Sequence, residues 1–344
     1  RELLARDFPS LDLEDAREPS TETLIERAKS VEGAAMAVKG ITNSEGGGAS
    51  YGRTGIALAT SEGFRGSYAA TSHGIGVAVL AGEGTGMERD YAQSNARHAS
   101  DMETPDVVGK RAGERTIKRL NPRQAKSQRA PVIYDPRVSA SLVGGFAGAI
   151  SVASIARGVS FLKDKMGQAV FGPSINIIDD PHRVRGLRSK PFDGEGVANR
   201  KMALIENGVL TAWLLDTASA RQLGLTTNGH AARGTGGPPS PSTTNLYMAP
   251  GKLSPEELMA DIKDGFYVTE TMGFGVNGVT GDYSQGAAGF WIENGKIAYP
   301  VSGVTIASNL KEMFLNLTPA NDLEFRHGTN APMIRVEGMT IAGS

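Results

Sequence analysis

The chain has 344 residues, enough for about two domains, and its 36 Lys and Arg against 37 Asp and Glu leave a net charge of -1. That balance excludes the broad basic field that recruits nucleic acid or anionic membrane. The absence of cysteine excludes a disulfide scaffold, a thiolate metal site and a cysteine nucleophile.

The chain opens on Arg1 rather than Met, so a further N-terminal segment is expected. Residues 1–30 alternate acidic and apolar positions without a signal-peptide core, and a cytoplasmic protein is expected. A helix is predicted within residues 18–38, with Ser20 as N-cap and Leu24, Ile25 and Ala28 facing inward. Residues 34–81 change to short alternating runs broken by glycines, with a turn at Ser61-Glu62-Gly63, and this predicts an antiparallel meander. A second helix starts from Thr104 and Pro105, turns Val108, Ile117 and Leu120 inward, and stops at Asn121-Pro122.

Residues 121–130 are polar and aperiodic and are expected to link two domains. A strand at residues 132–134 follows. Residues 138–156 then carry no charge over 19 positions, close to the ~20 that a membrane span needs. Twelve of them are Gly, Ala or Ser, a composition for close packing inside a protein, so one buried helix is predicted. Glu206-Asn207-Gly208 and Glu293-Asn294-Gly295 are hairpin turns, because Asn-Gly accepts two successive positive φ angles. Between them, a short helix over residues 216–223 ends at Gly224. Another, over residues 254–264, has a capping box of Ser254 and Glu257 and a stop at Gly265. Leu310, Met313, Phe314 and Leu317 sit at helical spacing, and Ile334 and Val336 begin a last strand. The expected class is α+β: an N-terminal antiparallel sheet with flanking helices over residues 1–125, and a β-rich C-terminal domain over 126–344.

Few motifs carry chemistry. Gly82, Gly84 and Gly86 lie in a meander rather than a βαβ unit, so a hairpin loop is favoured over a phosphate cradle. Asp179, Asp180 and His182 follow a strand; they offer ligands to a hard metal or a general base, and also make ordinary turn chemistry. Arg183, Arg185, Arg188 and Lys190 precede Asp193 and Glu195 and offer a clamp for a carboxylate or phosphate, against the alternative of an exposed loop. His230 precedes the Gly/Pro-rich loop of residues 233–244, whose length suits a cleft or an interface. The five histidines are scattered and form no HExxH pair, and no Gly-x-Ser-x-Gly elbow is present.

Several longer stretches occur together in order: Ser160-Phe161-Leu162-Lys163, Ile177-Ile178-Asp179-Asp180-Pro181, Phe192-Asp193-Gly194-Glu195-Gly196 and Thr280-Gly281-Asp282-Tyr283-Ser284. With these, nearly the whole chain resembles the PmbA/TldE branch of the TldD/PmbA proteins. In the TldD branch, a zinc peptidase, a His-Glu-x-x-x-His helix falls on residues 144–149. The resemblance therefore implies that Gly144 and Ala149 stand where two histidine ligands would be, and Gly145 where the catalytic glutamate would be. The third ligand, a cysteine, corresponds to Ala287. This chain is thus expected to carry no catalytic or metal residue and no cofactor of its own.

The resemblance further implies a heterodimer with a zinc-bearing TldD-type subunit. Such a complex cleaves unfolded peptides and is linked to peptide-antibiotic maturation and antitoxin turnover. The family's other name, modulator of DNA gyrase, implies no DNA binding for a chain of this charge. Arg188, Asp193, His230 and Arg233 are the residues expected at the peptide cleft or the interface. The alternatives are a stand-alone hydrolase using Asp179, Asp180, His182 or His230 with a metal, and a homodimeric peptide-binding module.

Overall fold

Main-chain pairing carries the strands of residues 41–59 and 65–81 far beyond the short apolar runs within them. The computed structural model describes residues 2–273 and 275–343. Its N-terminal part comprises helix α1 (Thr21–Met36), strands β1 (Ile41–Ala59), β2 (Arg65–Ala81) and β3 (Glu88–Ala96), and helix α2 (Pro105–Lys118). The strands make one antiparallel sheet in the order β1-β2-β3, the expected meander, with the loop of residues 82–87 closing its second hairpin. Both helices cover one face, where Val31, Ala35, Val77, Val79, Ala92, Val108 and Ala112 form a core. A Cβ at Gly109 would run into the Val31 carbonyl, so glycine there lets α2 lie directly on α1. The inward face of α1 is set by Val31 and Ala35 rather than by Ile25, which is exposed.

The chain continues through β4 (Gln128–Tyr134), α3 (Pro136–Ala149), α4 (Val152–Ala156), β5 (Ile177–Asp179), β6 (Met202–Glu206) and β7 (Val209–Leu210). Next come α5 (Thr217–Gln222), β8 (Ala231–Ala232), β9 (Ser240–Pro241), β10 (Leu246–Met248) and α6 (Pro255–Met259). It closes with β11 (Asp264–Met272), β12 (Asp282–Glu293), β13 (Lys296–Asn309), α7 (Leu310–Leu315), β14 (Leu317–Pro319), β15 (Thr329–Asn330) and β16 (Ile334–Ala342). A six-stranded sheet, β13-β12-β11-β4-β16-β14, curls until β13 also pairs with β16. A five-stranded sheet, β15-β10-β5-β6-β7, stands beside it. α3 packs Leu142, Val143 and Phe146 into the main core with Phe171, Phe266, Phe314 and Ile334. The fold is α+β.

Four expectations are corrected. Strand β4 begins at Gln128, inside the expected linker, because main-chain pairing of Gln128 and Arg129 with β16 requires no apolar side chain. The uncharged stretch is two helices broken at Ile150-Ser151, where the chain turns to pair Ser151 with Leu214. Among the described residues no helix is long and apolar enough to cross a membrane. The Ser254–Glu257 capping box is present, but α6 ends after Met259, and Gly265 lies in β11 against Ile292. Leu317 belongs to β14 rather than to α7. Both Asn-Gly turns stand as expected, with φ of 48° and 82° at Asn207 and Gly208, and 49° and 76° at Asn294 and Gly295.

Candidate functional site

Two places in the fold bear on function. The first is the outer side of α3. Asp135 caps this helix by accepting the Arg137 N–H at 2.9 Å. Gly144, Gly145 and Gly148 point outward, and a Cβ at any of them would meet no atom within 4 Å. Ser160 Oγ donates to the Ala149 carbonyl at 2.6 Å, and the Phe161 N–H donates to the Gly278 carbonyl at 2.9 Å. Exposed Val159, Val276 and Val279 thus lie on segments that meet beside the helix.

The positions to which the family resemblance assigns zinc ligands carry no donor: Gly144 and Gly145 are open, and Ala149 and Ala287 are buried methyls. Among the described residues no group of three His, Cys, Asp or Glu converges as a metal would require. The residues present do not fit a zinc ion.

Asp179, Asp180 and His182 do not converge either. Asp179 is fully buried; its carboxylate accepts from the Thr244 N–H at 2.7 Å and hydroxyl at 2.6 Å, and it faces His230 Nε2 at 3.3 Å. The other ring nitrogen of His230 lies 2.9 Å from Asn228 Oδ1. Asp180 caps the His182 N–H, while the His182 ring turns to Asn199 Oδ1 at 2.7 Å.

Asp193 is likewise buried. It accepts from the N–H groups of Glu195, Val197 and Ala231 at 2.9, 2.8 and 3.1 Å. Burial raises its carboxyl above the ordinary range, against the pull of those three donors. Lys190 donates to the Ala231 carbonyl at 2.9 Å, and burial pushes its ammonium down. Asp193 and His230 therefore tie loops together and present no open polar surface. Arg188 and Arg233 are exposed, with the Arg188 side chain lying over Gly328. Arg185 joins Asp12 and Asp101 at 2.6 and 3.0 Å, and Arg183 stacks on Phe325.

The second place is a cleft of about 320 Å³ between the N-terminal sheet and the C-terminal strands. One wall is β3, which among the described residues pairs with β2 alone and has no strand on its other edge. Arg115 and Arg111 of α2 each donate, at 3.4 Å, to the carbonyls of Tyr91 and Gln93. These alternate carbonyls therefore face the cleft and not β2. The opposite wall holds Asp135 and Arg137 at the start of α3, then Asp322, Glu324, Arg326 and His327, and β15, which among the described residues pairs with β10 alone. Shallower hollows extend the cleft along β3 in both directions.

Ion pairs bridge the two walls. Arg137 meets Asp90 at 2.9 Å, Arg326 meets Glu103 at 3.0 Å, and Arg119 meets Glu270 at 2.6 Å. Arg111 also meets Glu103, at 2.6 Å. Burial depresses His327, helped by the Arg326 charge, and burial raises the Asp322 carboxyl. Sequence reading passed over this cleft. The available signal was Arg111 and Arg115, one helical turn apart and flanking the buried stripe of α2.

Models of two family domains, described as the PmbA/TldA metallopeptidase central and C-terminal domains, match residues 14–120 and 127–343. The chain belongs to the PmbA/TldD metallopeptidase family. It is 43% identical over 345 residues to the metalloprotease PmbA of Escherichia coli O157:H7, covering 100% of this chain and 75% of that relative. A Haemophilus influenzae metalloprotease PmbA homolog is 35% identical over 348 residues, with the same coverage. Among solved structures of the PmbA/TldD fold, a Bacteroides thetaiotaomicron protein described as a modulator of DNA gyrase matches with a TM-score of 0.90 at 26% identity. That match covers 100% of this chain and 77% of the other. TldE of Thermococcus kodakarensis matches at 0.86 over 98% of this chain and 78% of its own, but at 22% identity the likeness is one of fold alone.

Proposed function

We propose that this chain is the non-catalytic partner subunit of a zinc metallopeptidase that processes unfolded peptides, contributing part of the interface and of the chamber wall. One observation carries the reading: α3 has the open glycines 144 and 145 and the buried Ala149 where the zinc-binding branch of the same family is expected to have its catalytic residues. A catalytic zinc site needs about three protein ligands to hold the ion and activate water. Zinc and its water chemistry then belong to a TldD-type partner in the cytoplasm, and this chain supplies surface. The open glycines of α3 and the exposed Val159, Val276 and Val279 suit such a surface, since close backbone approach there meets no side chain of its own.

The names of its relatives, which are metalloproteases, favour a second reading, in which this chain cleaves peptides by itself. The deciding experiment is hydrolysis of an unfolded peptide by this chain alone and after addition of a zinc-loaded TldD-type subunit. Silence alone with cleavage in the mixture is expected. Chelator-sensitive cleavage by the purified chain overturns the proposal. Peptide binding by a homodimer, with no gain from the partner, overturns it in favour of a binding module.

A further inference from the structure

We propose that the cleft beside β3 is a carboxylate-anchored peptide site, in which an extended chain lies along the free edge of residues 91–95 and places one carboxylate on Arg115. The inference rests on the peptide-processing reading above and adds to it a location and a recognition chemistry.

Three observations lead there. First, the edge is open and correctly presented. The carbonyls of Tyr91 and Gln93 face the cleft, and the Tyr91 N–H turns to Asp90 Oδ1 at 2.7 Å rather than to β2. Residues two apart on an antiparallel edge direct both main-chain groups to the same side, which is the pattern an added strand pairs with. The arginine contacts that now cover these carbonyls are 3.4 Å long and are readily exchanged for shorter bonds.

Second, Arg115 is half-buried, yet it makes no ion pair among the described residues, and its one hydrogen bond is the long one to Tyr91. Its neighbours Arg111, Arg137 and Arg326 each hold a carboxylate within 3.0 Å. Burial lowers the Arg115 guanidinium from its ordinary value, but arginine stays charged in proteins, so a guanidinium without a carboxylate is left lining the cleft. A carboxylate is its natural complement.

Third, the other arginines of the lining are already matched. Arg111 and Arg326 share Glu103 and Arg137 holds Asp90, so among the described residues Arg115 is the one guanidinium of the cleft left without a carboxylate, which suits a single carboxylate and not a polyanion. A chain terminus and a Glu or Asp side chain both supply that group.

The test measures binding of a short unfolded fluorescent peptide without Asp or Glu to the full chain by anisotropy. The peptide is used as the C-terminal acid, as the C-terminal amide, and as an amide carrying one Glu near its end. The acid is expected to bind about tenfold tighter than the plain amide. If only the Glu-bearing amide gains, the carboxylate comes from a side chain. Arg115→Gln is expected to remove the gain, and Arg115→Lys to keep part of it. N-methylation of alternate peptide amides, tested on the unaltered chain, is expected to weaken binding through lost main-chain bonds. Equal binding of all three peptides, an unchanged ratio in Arg115→Gln, or no binding at all overturns the site. Cleavage by the mixture with the zinc subunit is read separately, so the accessory-subunit reading can stand when this one fails.

Discussion

Arg137 Nη1 lies 2.9 Å from Asp90 Oδ1, and this contact joins the start of α3 to β3, the edge strand of the N-terminal sheet. Asp90 is 3% exposed, and its one other cation among the described residues, Arg119, is 3.8 Å away. The pair is mostly withdrawn from water, so its two halves are unequal to the loss of one. Arg137→Met is expected to cost about 3 kcal/mol, because it leaves a buried carboxylate with a distant partner. Joining it with Asp90→Asn should recover a large part of that cost. Denaturant unfolding of both single variants and the double variant checks this; additive losses would show that the contact carries no coupling.

The turn at Asn207-Gly208 makes a second expectation. Gly208 has φ 82°, and a Cβ there would stand 2.5 Å from the Phe171 carbonyl. Gly303 has φ 67° but open space around it. Gly303→Ala should therefore cost about 1 kcal/mol from backbone strain alone, and Gly208→Ala clearly more. Equal unfolding midpoints for the two variants would contradict the crowding at Gly208.

His73 ties stability to pH. Its ring is 2% exposed, packs against Tyr51, and has Nε2 3.3 Å from Asp15 Oδ2 without hydrogen-bond geometry. Burial depresses its pKa below the ordinary 6.5, outweighing the Asp15 charge. Below 6.5 the unfolded chain takes up a proton that the folded chain resists. The stabilisation is thus full above 6.5 and is lost as pH falls from there through the folded value. Unfolding midpoints from about pH 8 to about pH 5 should fall, and His73→Gln should reduce the slope. His327, also depressed by burial, should leave a residual slope. An identical profile in His73→Gln would remove His73 from the acid response.

The accessory-subunit reading predicts a metal balance. The purified chain dialysed against dilute zinc should hold well below one equivalent by atomic absorption, and its unfolding midpoint should not shift, since a ligand bound only by the folded state must raise it. A full equivalent with a raised midpoint would require a site outside α3.

The sequence by itself determined the helix starts, the tight turns and the family. Ser20, Asp216 and Ser254 cap helices because their oxygens reach N–H groups within the next turn. Asn207 and Asn294 reverse the chain because the residues concerned set φ locally. Such contacts span a few residues, so spacing alone reveals them. That Gly144, Gly145, Ala149 and Ala287 carry no donor is plain from residue type, and the family resemblance alone implies that those positions matter. Tertiary structure decided the remainder. Arg115 and Tyr91 are 24 positions apart, and Arg326 and Glu103 are 223 apart. Nothing periodic marks them, because the cleft arises only when two separately built sheets meet at their free edges. His230 and Asp193 looked available on composition. Loop packing buried them instead: the Asp193 carboxylate takes the N–H groups of Val197 and Ala231, and His230 lies against Asp179, which takes the Thr244 N–H.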